Sequence, residues 1–287
     1  MKNIVIGTSA LLITFRCNLN CKLCCTNTPY REKSQRIDFP LDELKAVVTK
    51  YYTVVSFIRK FSLGGGEPTI HKSLPELIEY IMKFKEQFEV LEIITNGAAI
   101  PHENVISVLA KFKDKVFITI DNYGPDVSRN AFATVDVLNK HEIKNQVRNY
   151  NAEEAHFGGW VDLGDFSRKH NSTPASKFLS CCISNKKKNN TATLGEYESD
   201  DDNIFFINYA ANTRGKIHRC ARAYSTFEAG AVKDVPENFV NTLDKNKSIE
   251  QIREEIIAMW STDYYEPCEY CNGFDDSSIR YIPAEQL

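Results

Sequence analysis

Residues 10–25 read ALLITFRCNLNCKLCC, an apolar run followed by four cysteines. The run Ala10–Phe15 predicts a short buried strand, which places the cysteines on the loop at its end. Sites in α/β proteins are usually built on such strand-end loops. Thiolates select zinc, copper(I) or iron–sulfur clusters, so three thiols at i, i+4 and i+7 predict a metal site. The alternative is a set of buried structural cysteines.

The composition is that of an ordinary soluble protein. With 35 basic and 38 acidic residues among 287, the formal net charge is −3, which gives no indication of a nucleic-acid partner. The apolar runs fall far short of the ~20 residues of a membrane span, and the first residues show no signal-peptide pattern. We therefore expect a cytoplasmic protein with no membrane partner. Nine cysteines in such a protein predict metal ligands or catalytic groups, because disulfides are rare in the cytoplasm.

Strand and helix patterns alternate through the first half of the chain. Each apolar run ends at a glycine-containing or polar loop and is followed by a segment with helical periodicity. The predicted strands cover residues 10–15, 60–63, 90–95, 116–120 and 143–148, and the predicted helices cover 41–52, a segment that begins at 73, 102–112 and 131–140. Five such units predict an α/β fold whose parallel sheet forms a closed or partly closed barrel.

From about residue 151 the alternation is lost. Residues 157–161 are compatible with a sixth strand, and the charged stretch 183–203 predicts a solvated loop. A hairpin is predicted within residues 204–220 and a last helix over 248–260. We therefore expect two domains, a barrel-like domain at 1–180 and a small hairpin-plus-helix domain at 181–287.

Further strand ends also carry glycine or polar residues. Gly64–Pro68, GGGEP, follows the second strand, where glycines let backbone approach a ligand and the Glu67 carboxylate can accept hydrogen bonds from an ammonium group. Asn96 and Asp121 follow the third and fourth strands, and Arg148 ends the fifth, where a guanidinium suits bidentate recognition of a carboxylate. For each, the alternative is an ordinary polar residue in a βα loop.

The CxxxCxxC spacing, with a GGE segment one unit later, resembles the radical S-adenosylmethionine (SAM) superfamily. In that family three cysteines hold three irons of a [4Fe-4S] cluster, and the fourth iron binds the amino and carboxylate groups of SAM. The resemblance implies a partial TIM barrel of the (β/α)6 type. It also implies that the reduced cluster passes an electron to SAM, which yields a 5′-deoxyadenosyl radical that abstracts a hydrogen atom.

The same resemblance assigns roles to residues of this sequence. Cys17, Cys21 and Cys24 would hold the SAM cluster. At the neighbouring strand ends, Gly65, Gly66 and Glu67 would bind the methionine amino group, Asp121 would reach the ribose hydroxyls or the carboxylate, and Arg148 would pair with that carboxylate. Asn96 belongs to a TNG segment that the family often carries, and we expect it to bind the cofactor as well.

Five cysteines in the last third of the chain form a second group. Four thiolates complete a [4Fe-4S] cluster with no open position, and they equally satisfy tetrahedral zinc. The Gx4C segment that ends at Cys220 and the CxxC pair Cys268 and Cys271 resemble the twitch domain, the shortened form of the SPASM extension. The resemblance implies one auxiliary [4Fe-4S] cluster, with Cys182 or Cys181 as the fourth ligand, and hence two clusters in the chain.

Cys25 is left over by this assignment, together with one of the neighbouring pair 181 and 182. A spare cysteine is either a small buried apolar residue or a reactive thiol. The resemblance offers a specific role, that of a hydrogen-atom donor as in radical epimerases of the family. Both interpretations of Cys25 stay open at this point.

We expect an oxidoreductase- or epimerase-type enzyme that acts on a small molecule of sugar, aminocyclitol or nucleoside type, with a reductant such as flavodoxin or ferredoxin. One alternative is a maturase of a ribosomally made peptide. Such enzymes commonly carry a peptide-recognition domain before the barrel, and only 16 residues precede Cys17. Another alternative, a non-catalytic iron–sulfur or zinc protein, gives no reason for the GGE segment. The predicted pocket-lining residues are Tyr123, Asn149, Tyr150, His156 and Trp160.

Overall fold

The computed structural model describes residues 2–150, 160–164, 166, 181, 201–274 and 278–287. The strands of this part of the chain are β1 (Asn3–Thr14), β2 (Phe57–Gly65), β3 (Phe88–Thr95), β4 (Val116–Asn122), β5 (Asn145–Asn149), β6 (Ile204–Thr213), β7 (Lys216–His218) and β8 (Val240–Asn241). Its helices are α1 (Leu41–Val54), α2 (Leu74–Ile81), α3 (Glu103–Lys111), α4 (Ala131–Lys140), α5 (Ala223–Glu228) and α6 (Ile249–Ser261). Short 3-10 turns cover Met82–Gln87 and Glu266–Tyr270.

Strands β1 to β5 alternate with helices α1 to α4, as the sequence predicts. In α1, the side chains of Leu44, Val47, Val48 and Tyr51 are buried at helical spacing, so one face of the helix packs on the core. Strand β4 is buried on both faces along most of its length, which is typical of a parallel strand covered by helices.

The sheet places the strands in the order β5-β4-β3-β2-β1-β6-β7-β8. Strand β4 runs parallel to both β3 and β5, whereas β7 pairs antiparallel with β6 and β8. Parallel strands have their carboxyl ends at one edge, so the residues after β3, β4 and β5 lie at the same edge. The predicted α/β class is confirmed, and the sheet is consistent with a partial barrel.

The chain divides into two compact units. The cysteine-loop unit comprises residues 11–45, 61–162 and 279–287, and it contains β3, β4 and β5. The hairpin unit comprises residues 1–10, 46–60 and 163–278, and it contains β6 to β8 with α5 and α6. The predicted boundary near residue 180 adjoins residues that the structure does not describe, so it stays a prediction.

Strand β1 begins earlier than the apolar run indicates. Ser9 is fully buried within it because its hydroxyl hydrogen-bonds the hydroxyl of Tyr51 at 2.7 Å, which satisfies a polar group inside the core. The predicted hairpin corresponds to β6 and β7. The predicted last helix corresponds to α6, where Ser248 and Gln251 form a capping box. The predicted sixth strand, at 157–161, and the loop at 183–203 fall mostly outside the described residues.

Candidate functional site

The three cysteines of the CxxxCxxC motif lie on the loop after β1, as predicted. Cys21 is buried, Cys17 and Cys24 are partly exposed, and Cys25 is exposed. The loop begins at Arg16, whose guanidinium makes a salt bridge of 2.7 Å with Asp38 and also donates to the carbonyl of Ile70. These contacts fix the chain where it leaves the strand.

Each of the outer two thiols of the motif already has a hydrogen-bond partner nearby. The Sγ of Cys17 accepts from the backbone N–H of Leu19 at 3.4 Å and from the amide of Asn96 at 3.7 Å. The Sγ of Cys24 lies 3.3 Å from the hydroxyl of Thr26. Donors around thiolate sulfurs are the usual surroundings of an iron–sulfur cluster, because they stabilise negative charge on sulfur.

The pKa values of Cys17 and Cys21 lie above the usual range of a thiol. Burial raises the pKa of Cys17 to about 12, and the carboxylate of Glu67 and the thiolates of Cys21 and Cys24 add to the increase, while the N–H of Leu19 opposes it. Burial likewise raises the pKa of Cys21 to about 11. With pKa values this high, Cys17 and Cys21 need a nearby positive charge to become thiolates. The donor set therefore fits a [4Fe-4S] cluster, which would supply that charge.

The glycines of the GGE segment bring the end of β2 against the start of the cysteine loop. The N–H of Gly66 donates to the carbonyl of Thr14 at 2.8 Å. A Cβ on Gly65 would lie 2.2 Å from the carbonyl oxygen of Thr14, and one on Gly66 would lie 2.1 Å from that of Arg16. No side chain fits at either position, and Gly65 also has φ of +129°. The glycines thus serve a close approach of two backbone segments.

Glu67 is almost fully buried, and its carboxylate accepts hydrogen bonds from the protein itself. One oxygen accepts from the N–H of Asn96 at 2.8 Å, and the other accepts from the N–H and hydroxyl of Thr69 at 3.1 and 2.5 Å. Burial raises the pKa of this carboxyl, and these donors together with the side chain of Thr95 oppose the increase. In this structure Glu67 therefore joins the end of β2 to the end of β3. Its expected contact with SAM stays a prediction.

Asn96 follows β3 and reaches the cysteine loop. Its amide donates to the side-chain oxygen of Asn18 at 2.8 Å as well as to the Sγ of Cys17. The side-chain oxygen of Asn96 accepts from the N–H of Ala98 at 2.9 Å, which holds the turn after the strand. Asn96 thus links the candidate cofactor residues of two strand ends.

Asp121 and Arg148 lie opposite each other on β4 and β5, and they form a bidentate ion pair with N···O distances of 2.6 and 2.9 Å. Tyr123 donates its hydroxyl to the same carboxylate at 3.3 Å. Burial raises the pKa of the Asp121 carboxyl, and the guanidinium of Arg148 opposes the increase. The two residues predicted to contact SAM separately are therefore paired with each other here.

Three aromatic residues predicted to line a pocket lie together in the cysteine-loop unit. The ring of Tyr123 is 4.9 Å from that of Tyr150 and 5.4 Å from that of Trp160, measured between centroids. Asn149 accepts a hydrogen bond of 2.9 Å from the amide of Asn122. His156, the remaining predicted lining residue, lies outside the described residues.

The described cysteines of the last third, Cys181, Cys220, Cys268 and Cys271, belong to the hairpin unit. Cys220 follows β7, and Cys268 and Cys271 lie on or directly after the turn Glu266–Tyr270. Burial raises the pKa of Cys220 well above its usual range, and the thiolates of Cys181, Cys271 and Cys268 add to this increase. Cys181, Cys268 and Cys271 are therefore each within electrostatic reach of Cys220.

Cys182, the other candidate for the fourth ligand, lies outside the described residues. Among the residues that are described, no three His, Cys, Asp or Glu side chains converge closely enough to hold a single metal ion. A cluster distributes its cysteines over separate irons.

The helices in the described ranges include none with the length and apolar character that a membrane span requires.

Sequence reasoning missed contacts made by residues without a chemical signature of their own. Thr26 beside Cys24 and Asn18 beside Asn96 are common loop residues. Gln286 donates to the Sγ of Cys21 from 265 positions away. The only available signal for Thr26 was its position within the cysteine loop, and no signal pointed to Gln286.

Comparisons with known proteins support the family. The family described as Radical SAM superfamily matches residues 11–155, which is 145 of the 287 residues. The chain is 26% identical over 182 residues to a probable GTP 3′,8-cyclase of Methanococcus aeolicus, a match that covers 59% of this chain and 58% of that protein. The matched part spans between 25% and 58% of the length of the curated relatives.

Two solved structures are similar in fold. One is BtrN in complex with AdoMet and 2-DOIA, with a TM-score of 0.52, 13% identity and coverage of 98% of both chains. Another is anSMEcpe with bound AdoMet and a Kp18Cys peptide, with a TM-score of 0.53, 13% identity and coverage of 97% of this chain and 93% of that one. The family match, the fold and the placement of the cysteine loop agree. The chain belongs to the radical SAM superfamily, whose members use a [4Fe-4S] cluster and SAM.

Proposed function

We propose that this chain abstracts a hydrogen atom from a small molecule of sugar, aminocyclitol or nucleoside type, leading to dehydrogenation or epimerisation. The observation that supports it best is the direct contact between the cysteine loop and the GGE segment, through the backbone of Thr14, Arg16 and Gly66. When bound, the cluster and SAM supply a one-electron reduction that releases a hydrogen-abstracting radical. The protein supplies binding, orientation and exclusion of water.

In this proposal Cys17, Cys21 and Cys24 bind three irons. The backbone carbonyls of Gly65 and Gly66 are acceptors suited to the amino group of SAM, since no side chain stands between them and a ligand. Glu67 holds these carbonyls in place, because its two carboxylate oxygens accept hydrogen bonds from the backbone N–H groups of Asn96 and Thr69.

The pair of Asp121 and Arg148 supplies charge at the ends of β4 and β5. Two of the guanidinium's five donors are bonded to Asp121, so the remaining donors are the ones suited to a carboxylate of SAM or of the substrate. Asp121 meanwhile neutralises the charge of the guanidinium. Both residues are thereby preorganised, which lowers the entropy lost on binding.

A second [4Fe-4S] cluster in the hairpin unit completes the proposal. Cys220, Cys268 and Cys271 would hold three of its irons, and the fourth ligand would be Cys182 or Cys181, whose charge acts on Cys220. With no open position, such a cluster suits transfer of the electron left on the substrate after hydrogen abstraction. If the metal is zinc, the site is structural and the electron must leave by another route.

The substrate type is proposed from the relatives and from the residues beside the charged pair. A relative is a probable GTP 3′,8-cyclase, which favours a nucleoside-type or other small substrate, and one similar structure carries a peptide. The rings of Tyr123, Tyr150 and Trp160 offer flat apolar surface beside the charged pair, a combination that suits a polar ring more than an extended peptide. A peptide substrate is thus the alternative outcome of substrate screening.

The test is anaerobic reconstitution with iron and sulfide, followed by dithionite and SAM. We expect 5′-deoxyadenosine to form, and replacing Cys17, Cys21 and Cys24 by alanine to abolish it. That variant should retain about four irons per chain if the second site is a cluster. Cys25→Ala is the matched control, since it removes a thiol from the same loop and should preserve SAM cleavage.

Two outcomes would contradict the proposal. Wild-type protein with a full complement of iron that forms no 5′-deoxyadenosine would overturn the enzymatic interpretation. Zinc, or no metal, in the triple variant would overturn the auxiliary cluster alone. A Cys25→Ala variant that cleaves SAM but no longer converts substrate would support a role for Cys25 after SAM cleavage, such as that of the hydrogen donor.

A further inference from the structure

Residues 279–287 lie against the cysteine loop within the same unit. The N–H of Lys22 donates to the carbonyl of Glu285 at 2.7 Å, and the N–H of Leu287 donates to the carbonyl of Asn20 at 2.9 Å. Cys21 and Gln286 form an antiparallel bridge between these two hydrogen bonds. The middle cysteine of the motif is thus held by a short strand-like pairing with a segment far away in sequence.

The side chain of Gln286 completes this contact. Its oxygen accepts from the N–H of Asn20 at 2.8 Å. Its nitrogen donates to the carbonyl of Ala284 at 2.6 Å and to the Sγ of Cys21 at 3.4 Å. A flipped amide would put oxygen against the Ala284 carbonyl and nitrogen against the Asn20 N–H, and both contacts would be repulsive. The surroundings therefore aim an N–H donor at the sulfur.

The segment is anchored by backbone contacts more than by charge. The N–H of Tyr281 donates to the carbonyl of Trp160 at 2.7 Å, and the N–H of Trp160 donates back at 3.1 Å. The ion pair of Lys22 with Glu285 spans 3.4 Å and is about half exposed on both sides, so it contributes little. Gln286 is accordingly held in register by main-chain hydrogen bonds.

We propose that Gln286 is a positioning residue of the SAM cluster, whose amide N–H donates to the Cys21 thiolate and raises the reduction potential of the cluster. The inference rests on the proposed binding of that cluster by Cys17, Cys21 and Cys24. Reduction adds negative charge that is shared with the ligand sulfurs, so a donor at sulfur stabilises the reduced state more than the oxidised state. Cys21 is only 8% exposed, and water does not replace a donor lost there.

The test compares three full-length variants by redox titration of the reconstituted protein. The EPR signal that changes when SAM is added identifies the cluster of interest. Gln286→Met removes the whole amide, whereas Gln286→Glu keeps an acceptor for Asn20 and removes the donor. Gln286→Met should shift the one-electron equilibrium toward the oxidised cluster by about threefold to tenfold, where tenfold corresponds to 59 mV. Gln286→Glu should shift it further in the same direction, because it also adds a negative charge beside Cys21. Glu285→Gln, which breaks only the exposed ion pair, should titrate like wild type.

An unchanged potential in Gln286→Met or Gln286→Glu, with iron retained, would overturn the proposal. Wild-type protein labelled with side-chain 15N-glutamine gives a second readout that needs no variant. Pulsed EPR of its reduced, SAM-responsive cluster should detect a coupled 15N nucleus, and absence of that coupling would also overturn the proposal. If wild type contains no SAM-responsive cluster, the cluster assignment itself fails, and the inference falls with it.

Discussion

Glu67→Gln and Glu67→Ala should both destabilise the metal-free protein. In wild type, one carboxylate oxygen accepts from the N–H of Asn96 and the other from Thr69. The amide of glutamine has one acceptor oxygen, so one buried N–H loses its partner, which costs about 2 kcal/mol of unfolding free energy. Alanine leaves both backbone donors unpaired and should cost about 4 kcal/mol.

Urea denaturation of the metal-free protein, followed by circular dichroism, measures these losses. Glu86→Gln is the control, because Glu86 is an exposed carboxylate in the same unit and its change should fall within about 0.5 kcal/mol. Metal-free protein is essential, since it separates stability from cofactor binding. A Glu67→Gln variant as stable as wild type, but with weaker SAM binding after reconstitution, would refute this reasoning. The Glu67 carboxylate would then bind SAM and would not stabilise the contact between the ends of β2 and β3.

The remaining predictions concern two ion pairs of the cysteine-loop unit. Asp121→Asn leaves the charge of Arg148 without its partner and should cost about 3–5 kcal/mol in urea denaturation, most of it recovered when Asp121→Leu is combined with Arg148→Met. An Asp121→Asn variant as stable as wild type would show that the ion pair between Asp121 and Arg148 is not formed. Burial disfavours the charged form of Asp38, but hydrogen bonds from Arg16 and Thr14 outweigh this and hold its pKa below the usual range. Its stabilisation is complete above its unfolded pKa of about 3.9 and is lost as pH falls through the lower folded value. Asp38→Asn should therefore be less stable than wild type at pH 7, and the difference should shrink below pH 4; a difference independent of pH would contradict this.

The sequence predicts the first half of the fold well because its signals are local. Strands β2 to β4 and helices α1 to α4 show apolar patterns bounded by polar or turn residues, whereas β5, NQVRN, has a single apolar residue. Helix α5 was missed, because its six residues are too few to show a helical period and most of them are buried. Strand β8, with two residues, has no pattern to read.

The sequence predicts where the candidate residues lie better than it predicts which groups they contact, and their roles stay predictions. The predicted strands place Gly66, Asp121 and Arg148 at strand ends. In the structure these residues lie within one residue of the ends of β2, β4 and β5. Which group each side chain touches depends on register, and Asp121 meets Arg148 only because β4 and β5 pair with those residues opposite. The contact of Gln286 with Cys21 is set by tertiary folding alone, and a single glutamine carries no pattern from which it could be inferred.

The pairing of Cys21 with Gln286 also constrains the order of events during biosynthesis. The two residues are 265 positions apart, and a ribosome adds roughly 5–20 residues per second, so about 13–53 s pass between them. Through that interval the cysteine loop lacks the segment that covers its middle thiol. A cysteine loop that binds iron during that interval thus does so before Gln286 can donate to Cys21.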